Sequence, residues 1–148
     1  MEISWSVERL QYLCSIIPGP LKQISEEEFV FKPVPIQWSK KEILGHLIDS
    51  ATNNHQRFIR IQYEYEPVIF YDQNEWNALS NYNHLNTSHL INLWQIYNQH
   101  LVEIIKIIPV ENLDRNGVGK DGQKLTLHFY INDYVSHLEH HLKQLVTY

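Results

Sequence analysis

Ser39-Lys40-Lys41-Glu42-Ile43-Leu44-Gly45-His46-Leu47-Ile48-Asp49-Ser50-Ala51 opens on an S-x-x-E capping box and runs directly into apolar residues at helical spacing. In such a box the Ser39 hydroxyl accepts from the N–H of residue 42 and the Glu42 carboxylate reaches back to the N–H of residue 39. Two of the donors left over at a helix start are thereby satisfied. Ile43, Leu44, Leu47, Ile48, Ala51 and Phe58 share one side, which predicts a helix running to about Tyr63. The prolines of Lys32-Pro33-Val34-Pro35 keep the preceding chain extended.

Three further stretches have the same period. Leu10, Leu13, Cys14 and Ile17 form one helical face that ends at Pro18-Gly19-Pro20. Leu90, Leu93, Trp94, Tyr97, Leu101, Ile104, Ile105 and Ile108 form another, ended by Pro109. Leu127, Ile131, Tyr134, Leu138, Leu142 and Leu145 form the last, with Thr126 as its cap. Four amphipathic helices predict an all-α four-helix bundle, one domain over residues 1–148. The connections at 18–38, 63–86 and 109–125 are longer than the roughly two to eight residues of ordinary bundle turns, so they permit crossovers and can wall a site. Asn74 to Leu79 reads as a short extra helix, and Asn116-Gly117, Gly119 and Asp121-Gly122 mark turns of a hairpin.

Composition narrows the class of partner. Twelve Lys and Arg against seventeen Asp and Glu give a net charge of -5, which argues against a reader of nucleic-acid phosphates. No apolar run approaches the roughly 20 residues of a membrane span. The single cysteine, Cys14, has no internal disulfide partner and lies on an apolar helix face, where it reads as a core filler. Together with an N-terminus lacking a basic and apolar leader, it gives the expectation of a reduced, cytoplasmic setting.

Nine histidines are the unusual feature. His137 and His141, spaced i, i+4 in Asp133-Tyr134-Val135-Ser136-His137-Leu138-Glu139-His140-His141, place two imidazoles one turn apart on nearly the same row. They are either a solvated helix end or a pair aimed at one ion. Glu139 projects about 200° away from His137, so the zincin pattern H-E-x-x-H and its glutamate base are absent. His140 turns further toward solvent. A metal asks for at least a third ligand, and the second helix offers His46, in the polar row Glu42, His46, Asp49, Asn53, Arg57. That row is either the solvated side of the helix or a polar inner wall. Gly117 to Gly122 lacks the spacing of a phosphate loop, and no G-x-S-x-G elbow is present.

The pattern from Trp38 to Ala51, followed by Asn53-Asn54-His55-Gln56-Arg57-Phe58 and by Asp133-Tyr134-x-x-His137-x-x-x-His141, resembles the DinB/YfiT-like superfamily of four-helix-bundle metalloproteins. Tyr71-Asp72-Gln73-Asn74-Glu75-Trp76 is similar to the loop after the second helix in its YfiT branch, departing from it at Asn74, where an acid is common. The resemblance implies a divalent metal, nickel or zinc, on His46, His137 and His141. It also implies chemistry of the kind assigned in that superfamily: transfer of low-molecular-weight thiols such as bacillithiol, mycothiol-dependent isomerisation, or metal-dependent hydrolysis.

The expectation from residues and resemblance together is metal-dependent transfer of a small thiol to an electrophilic small molecule. Hydrolysis by metal-activated water is the enzymatic alternative, and a metal-stabilised binding or sensor bundle is the non-catalytic one. Asp133, one turn before His137, and Tyr134 or Tyr130 are the candidates to orient a ligand or relay a proton. Asn53 and Arg57 are expected to meet the polar end of the thiol, and Trp38, Tyr71 and Trp76 to pack the electrophile. The apolar surface of the third helix, with the resemblance, leads to the expectation of a homodimer.

Overall fold

The computed structural model describes residues 3–148. Ser39 caps the second long helix as its spacing predicts: its Oγ accepts from Glu42 N at 3.1 Å, and Ser39 N donates to Glu42 Oε1 at 2.9 Å. The long helices are α1 (Ile3–Ile16), α4 (Lys40–Tyr63), α6 (Thr87–Lys106) and α7 (Leu127–Leu145). Between the first two lie the short α2 (Pro18–Lys22) and α3 (Glu26–Val30), and between α4 and α6 lie α5 (Gln73–Ser80) and a 3-10 turn at Tyr82–His84. A second such turn, Val110–Asn112, precedes the strands β1 (Asn116–Val118) and β2 (Lys124–Thr126). These pair antiparallel as the expected hairpin, with Gly117 opposite Leu125. Thr126 ends β2 and caps α7, its Oγ1 accepting from Phe129 N at 3.1 Å.

The order of the helices explains two of the long connections. α4 packs on α6 and α7, and α1 packs on the same two helices, so α1 and α4 lie across one diagonal of the bundle and α6 and α7 across the other. A chain leaving α1 must therefore cross one end of the bundle to begin α4, and one leaving α6 must cross the opposite end, beside Ile61 and Glu64, to begin α7. The middle connection joins neighbours but folds α5 back onto α4, where Asn77 Nδ2 donates to the Glu42 carbonyl at 2.8 Å.

Leu13, Leu47, Trp94, Ile131 and Leu138 fill the shared core, each at most 1% exposed. Each such aliphatic side chain contributes about 1.5–3 kcal/mol relative to staying in water. Lys41 is also buried, and its ammonium donates to Glu26 Oε1 at 2.6 Å and to the Leu85 carbonyl at 2.7 Å. This paired cation ties both α3 and the 82–85 turn to the start of α4. Gly45 lets Tyr82 lie directly on α4, for a Cβ there would come within 2.1–2.4 Å of the Tyr82 ring. Leu93 and Ile96 of α6 remain exposed. No helix among the described residues is long and apolar enough to cross a membrane.

Candidate metal centre

The adjacency of α4 and α7 brings the three histidines together. His137 Nε2 and His141 Nε2 are 3.2 Å apart, and one ring nitrogen from each of His46, His137 and His141 falls within 4.8 Å of the others. Ring centroids are 5.3 Å apart for His46 and His137, 4.8 Å for His46 and His141. His46 is 1% exposed, yet neither of its ring nitrogens has a hydrogen-bond partner. A buried polar group left without a partner is costly and calls for an explanation.

A divalent ion would satisfy these nitrogens. Zinc–nitrogen bonds of about 2.0–2.1 Å in tetrahedral geometry put two ligating nitrogens roughly 3.3 Å apart, close to the spacing on α7. The Gln144 Oε1 lies 2.9 Å from His141 Nδ1, an arrangement that keeps the proton on Nδ1 and leaves Nε2 as donor to a metal. Burial pushes His46 down to about 4, with the two neighbouring imidazoles adding to the effect. Burial also lowers His137, with His141 adding and Asp133 opposing. Both rings are thus held in the neutral form that ligation needs. Trp38 covers His46, ring centroids 5.0 Å apart. His140 is exposed, and Glu139 is taken by Arg9 at 2.7 Å, so neither joins the triad.

The polar row of α4 turns out to be an inner wall. Asp49 is 4% exposed and accepts from the Tyr82 hydroxyl, and burial raises its carboxyl to about 6. Asn53 is buried too, but its amide returns to the Asp49 carbonyl of its own helix at 2.9 Å and lines neither cavity described below. Its neighbour Asn54 takes the place expected of it.

Two cavities reach the triad from different sides. A groove of about 620 Å³ ends on His141, with Phe31, Ile36, Trp38 and Ile43 on its apolar side and Glu28, Gln37, Lys40, Asn74 and Gln144 among its polar lining. A polar cleft of about 180 Å³ ends on His137 and is walled by Ser50, Asn54, Arg57, Tyr71 and Asp133. Gln73 borders both. The groove's apolar lip comes from the 31–38 segment, with Ile36 94% exposed. Nothing in the periodicity of the sequence marks Phe31 and Ile36 as site residues, because an irregular segment, here turned at residues 34–37 and not extended as its prolines predict, has no face until it is laid on something.

The other expected residues divide. Asp133 lines the cleft together with His137. Tyr134 borders the cleft, but it is 2% exposed, its hydroxyl donates to Asn98 Oδ1 of α6 at 2.5 Å and its ring stands edge-on to Phe58. That hydroxyl is therefore engaged in the core. Tyr130 supports the Arg57 guanidinium, which lies 4.9 Å above its ring. Trp76 lines neither cavity and instead packs edge-on against Tyr71 at 5.6 Å. Cys14 is 2% exposed and burial raises its thiol to about 12, as befits a core filler.

Comparison with known proteins follows this geometry. The family model described as the DinB superfamily matches residues 18–145. No curated protein sequence matches the chain significantly. Among solved structures, YfiT from Bacillus subtilis, described as a probable metal-dependent hydrolase with an unusual four-helix bundle topology, superposes with a TM-score of 0.83 at 22% identity, over 98% of this chain and 86% of its own. A mycothiol-dependent maleylpyruvate isomerase superposes with a TM-score of 0.80 at 14% identity, over 98% of this chain and 61% of its own. YjoA, a DinB-like protein from Bacillus subtilis, gives 0.64 at 20% identity, over 95% and 86%. At these identities the likeness is one of fold.

Proposed function

The chain belongs to the DinB superfamily, and from that premise we propose that it is a metal-dependent enzyme transferring a low-molecular-weight thiol to an electrophilic small molecule. The observation that carries this reading is the meeting of two cavities at one set of three histidines, a wide groove with an aromatic and aliphatic lip at His141 and a small cleft at His137. A hydrolase needs a pocket for one organic substrate and room for water. A transferase needs room for two reactants, and two cavities of different size at one triad support that reading.

His46, His137 and His141 would hold the ion, with zinc or nickel suited to an all-imidazole donor set. A divalent ion bound by three neutral imidazoles keeps its full charge and makes a thiol or water near it more acidic. Trp38, Phe31 and Ile43 would exclude water from one side and pack the carbon skeleton of the electrophile. In the transfer a sulfur–carbon bond forms and a carbon–halogen bond breaks. The halide leaves with the bonding pair, and the thiol proton passes to solvent along the exposed Asp133 side of the cleft. Cys14, buried with its thiol raised to about 12, does not supply the sulfur, which is why a diffusible thiol is invoked.

The test supplies the metal-loaded protein with a panel of thiols, bacillithiol among them, and a chloro- or bromo-substituted electrophile. Thiol-dependent product formation that is lost in His46→Ala and kept in Cys14→Ala is expected. Cleavage of an ester or amide at the same site, with no acceleration by any thiol, would replace this reading with hydrolysis. A homodimer is part of the same proposal, resting on Leu93 and Ile96 exposed on α6. Light scattering at the mass of one chain would remove it.

A further inference from the structure

The polar cleft contains a cation that forms no ion pair among the described residues. The Arg57 guanidinium, partly buried, donates to Asn54 Oδ1 at 3.1 Å and to the Ile69 carbonyl at 3.3 Å, both neutral oxygens, and its buried Nε has no partner. Of its five N–H donors two are used. The other arginines are differently placed. Arg9 and Arg60 are matched by the carboxylates of Glu139 and Glu64, and Arg115 spends its N–H groups on the carbonyls of Ile61 and Glu64 at 2.8 and 3.0 Å. Among the described residues no carboxylate forms an ion pair with Arg57.

Taking a guanidinium out of water without a partner costs free energy that a bound anion recovers. We propose that the cleft is a carboxylate site with Arg57 as its cation, and that the molecule whose reacting end lies at His137 is a small acid. The rest of the wall suits this. Gln73 and Tyr71 bring neutral polar groups to the wall, Asn54 spends its amide N–H groups on Ser50 at 2.9 and 3.2 Å while fixing Arg57 through Oδ1, and Tyr130 holds the guanidinium plane in place from behind. The one acid lining the cleft, Asp133, is exposed to solvent and acts on His137, whose proton it favours. A divalent ion held by the histidines would, with Arg57, outweigh its single negative charge.

The cleft, about 180 Å³ against about 620 Å³ for the groove, is small, which favours a short-chain acid with its carboxylate at Arg57 and its other end at His137. A planar carboxylate also matches the fork of a guanidinium, which a neutral amide does not. The proposal deepens the thiol-transfer reading and rests on it only for what stands at the reacting end of the acid.

The experiment titrates the zinc-loaded full chain by calorimetry with 3-mercaptopropionate, with its neutral amide, with propionate and with inorganic phosphate. The acid is expected to bind about ten-fold or more tightly than the amide, the range for a hydrogen bond to a charged group. Arg57→Gln should abolish that ratio and Arg57→Lys should keep part of it, with zinc content and melting temperature followed in each. A merely structural arginine would change stability but leave the acid-to-amide ratio intact, and that result overturns the proposal. Phosphate binding tightly through Arg57 while propionate does not would overturn it as well. Arg57-dependent binding of propionate, with no thiol turned over in any assay, would leave the carboxylate site standing and remove the thiol. Thiol turnover with no preference for acids would do the reverse.

Discussion

The Tyr82 hydroxyl donates to Oδ1 of Asp49, a carboxyl buried on the turn after His46, while Asp49 Oδ2 has no partner. A carboxyl satisfied at one oxygen and desolvated at both favours its neutral form. Burial thus makes α4 carry a cost at neutral pH beside the candidate metal ligand, which the Tyr82 hydrogen bond offsets only in part.

That cost can be measured. Burial raises Asp49 from 3.8 to about 6, so between these values the folded chain keeps a proton that the unfolded chain has released. The stability tied to Asp49 is present below 3.8, declines as pH rises through that window and is gone above about 6, a loss on the order of 3 kcal/mol. Asp49→Asn should therefore be more stable than the parent at pH 8 by about 2–3 kcal/mol, with the gain shrinking toward pH 4. Urea unfolding at both pH values, in metal-free protein, checks this. A gain independent of pH would contradict the origin given.

Gly45→Ala tests the approach of Tyr82 to α4. Alanine favours a helix by about 1 kcal/mol over glycine, but the new Cβ would stand 2.1–2.4 Å from the Tyr82 ring. The clash should win, with net destabilisation of about 1–3 kcal/mol. Adding Tyr82→Ala removes the obstacle, so the pair should be less than additive in thermal denaturation. Additive losses would mean that Gly45 matters for another reason.

The triad predicts a metal stoichiometry and an acid limit. Elemental analysis should find about one divalent ion per chain, lost in His46→Ala, His137→Ala or His141→Ala and kept in His140→Ala. Since burial lowers His46 to about 4, protons begin to compete at this ring well below the free-histidine value of about 6.5. Metal affinity should fall most steeply as acid approaches the His46 value. The neutral ring also makes the metal-free fold lose stability as pH drops from 6.5 to about 4, because the unfolded chain takes up the proton first. Competition titrations from pH 7 downward would expose the alternative, a steep loss of affinity already above 6.5.

Cys14 should be inert in the native protein. At 2% exposure, with its thiol raised to about 12, it should resist iodoacetamide at pH 8 and react readily once urea unfolds the chain. Mass spectrometry of the labelled protein reports both states. Rapid native labelling would reopen Cys14 as a source of sulfur.

Much of this protein was legible in its sequence because the signals are local. A helix start is decided by the few residues around Ser39 or Thr126, and an i, i+4 pair such as His137 and His141 is neighbourly by backbone geometry alone. The four long helices, the extra helix after Asp72, the hairpin and the histidine triad all follow from such spacing, helped at His46 by family resemblance. Periodicity does not say where the next helix lies. On an ideal wheel Asn53 falls about 20° from His46 and Asn54 about 80°, so the wheel favours Asn53. The cleft opens on one side of α4, and it is Asn54 that borders it. The same limit applies to Tyr134, whose hydroxyl finds Asn98 on a helix 36 residues away, and to the polar row that proved to be an inner wall. Tertiary structure alone set α1 and α4 on one diagonal and drew the 31–38 segment over His141, because those outcomes depend on which helices bury each other and not on what any one segment prefers.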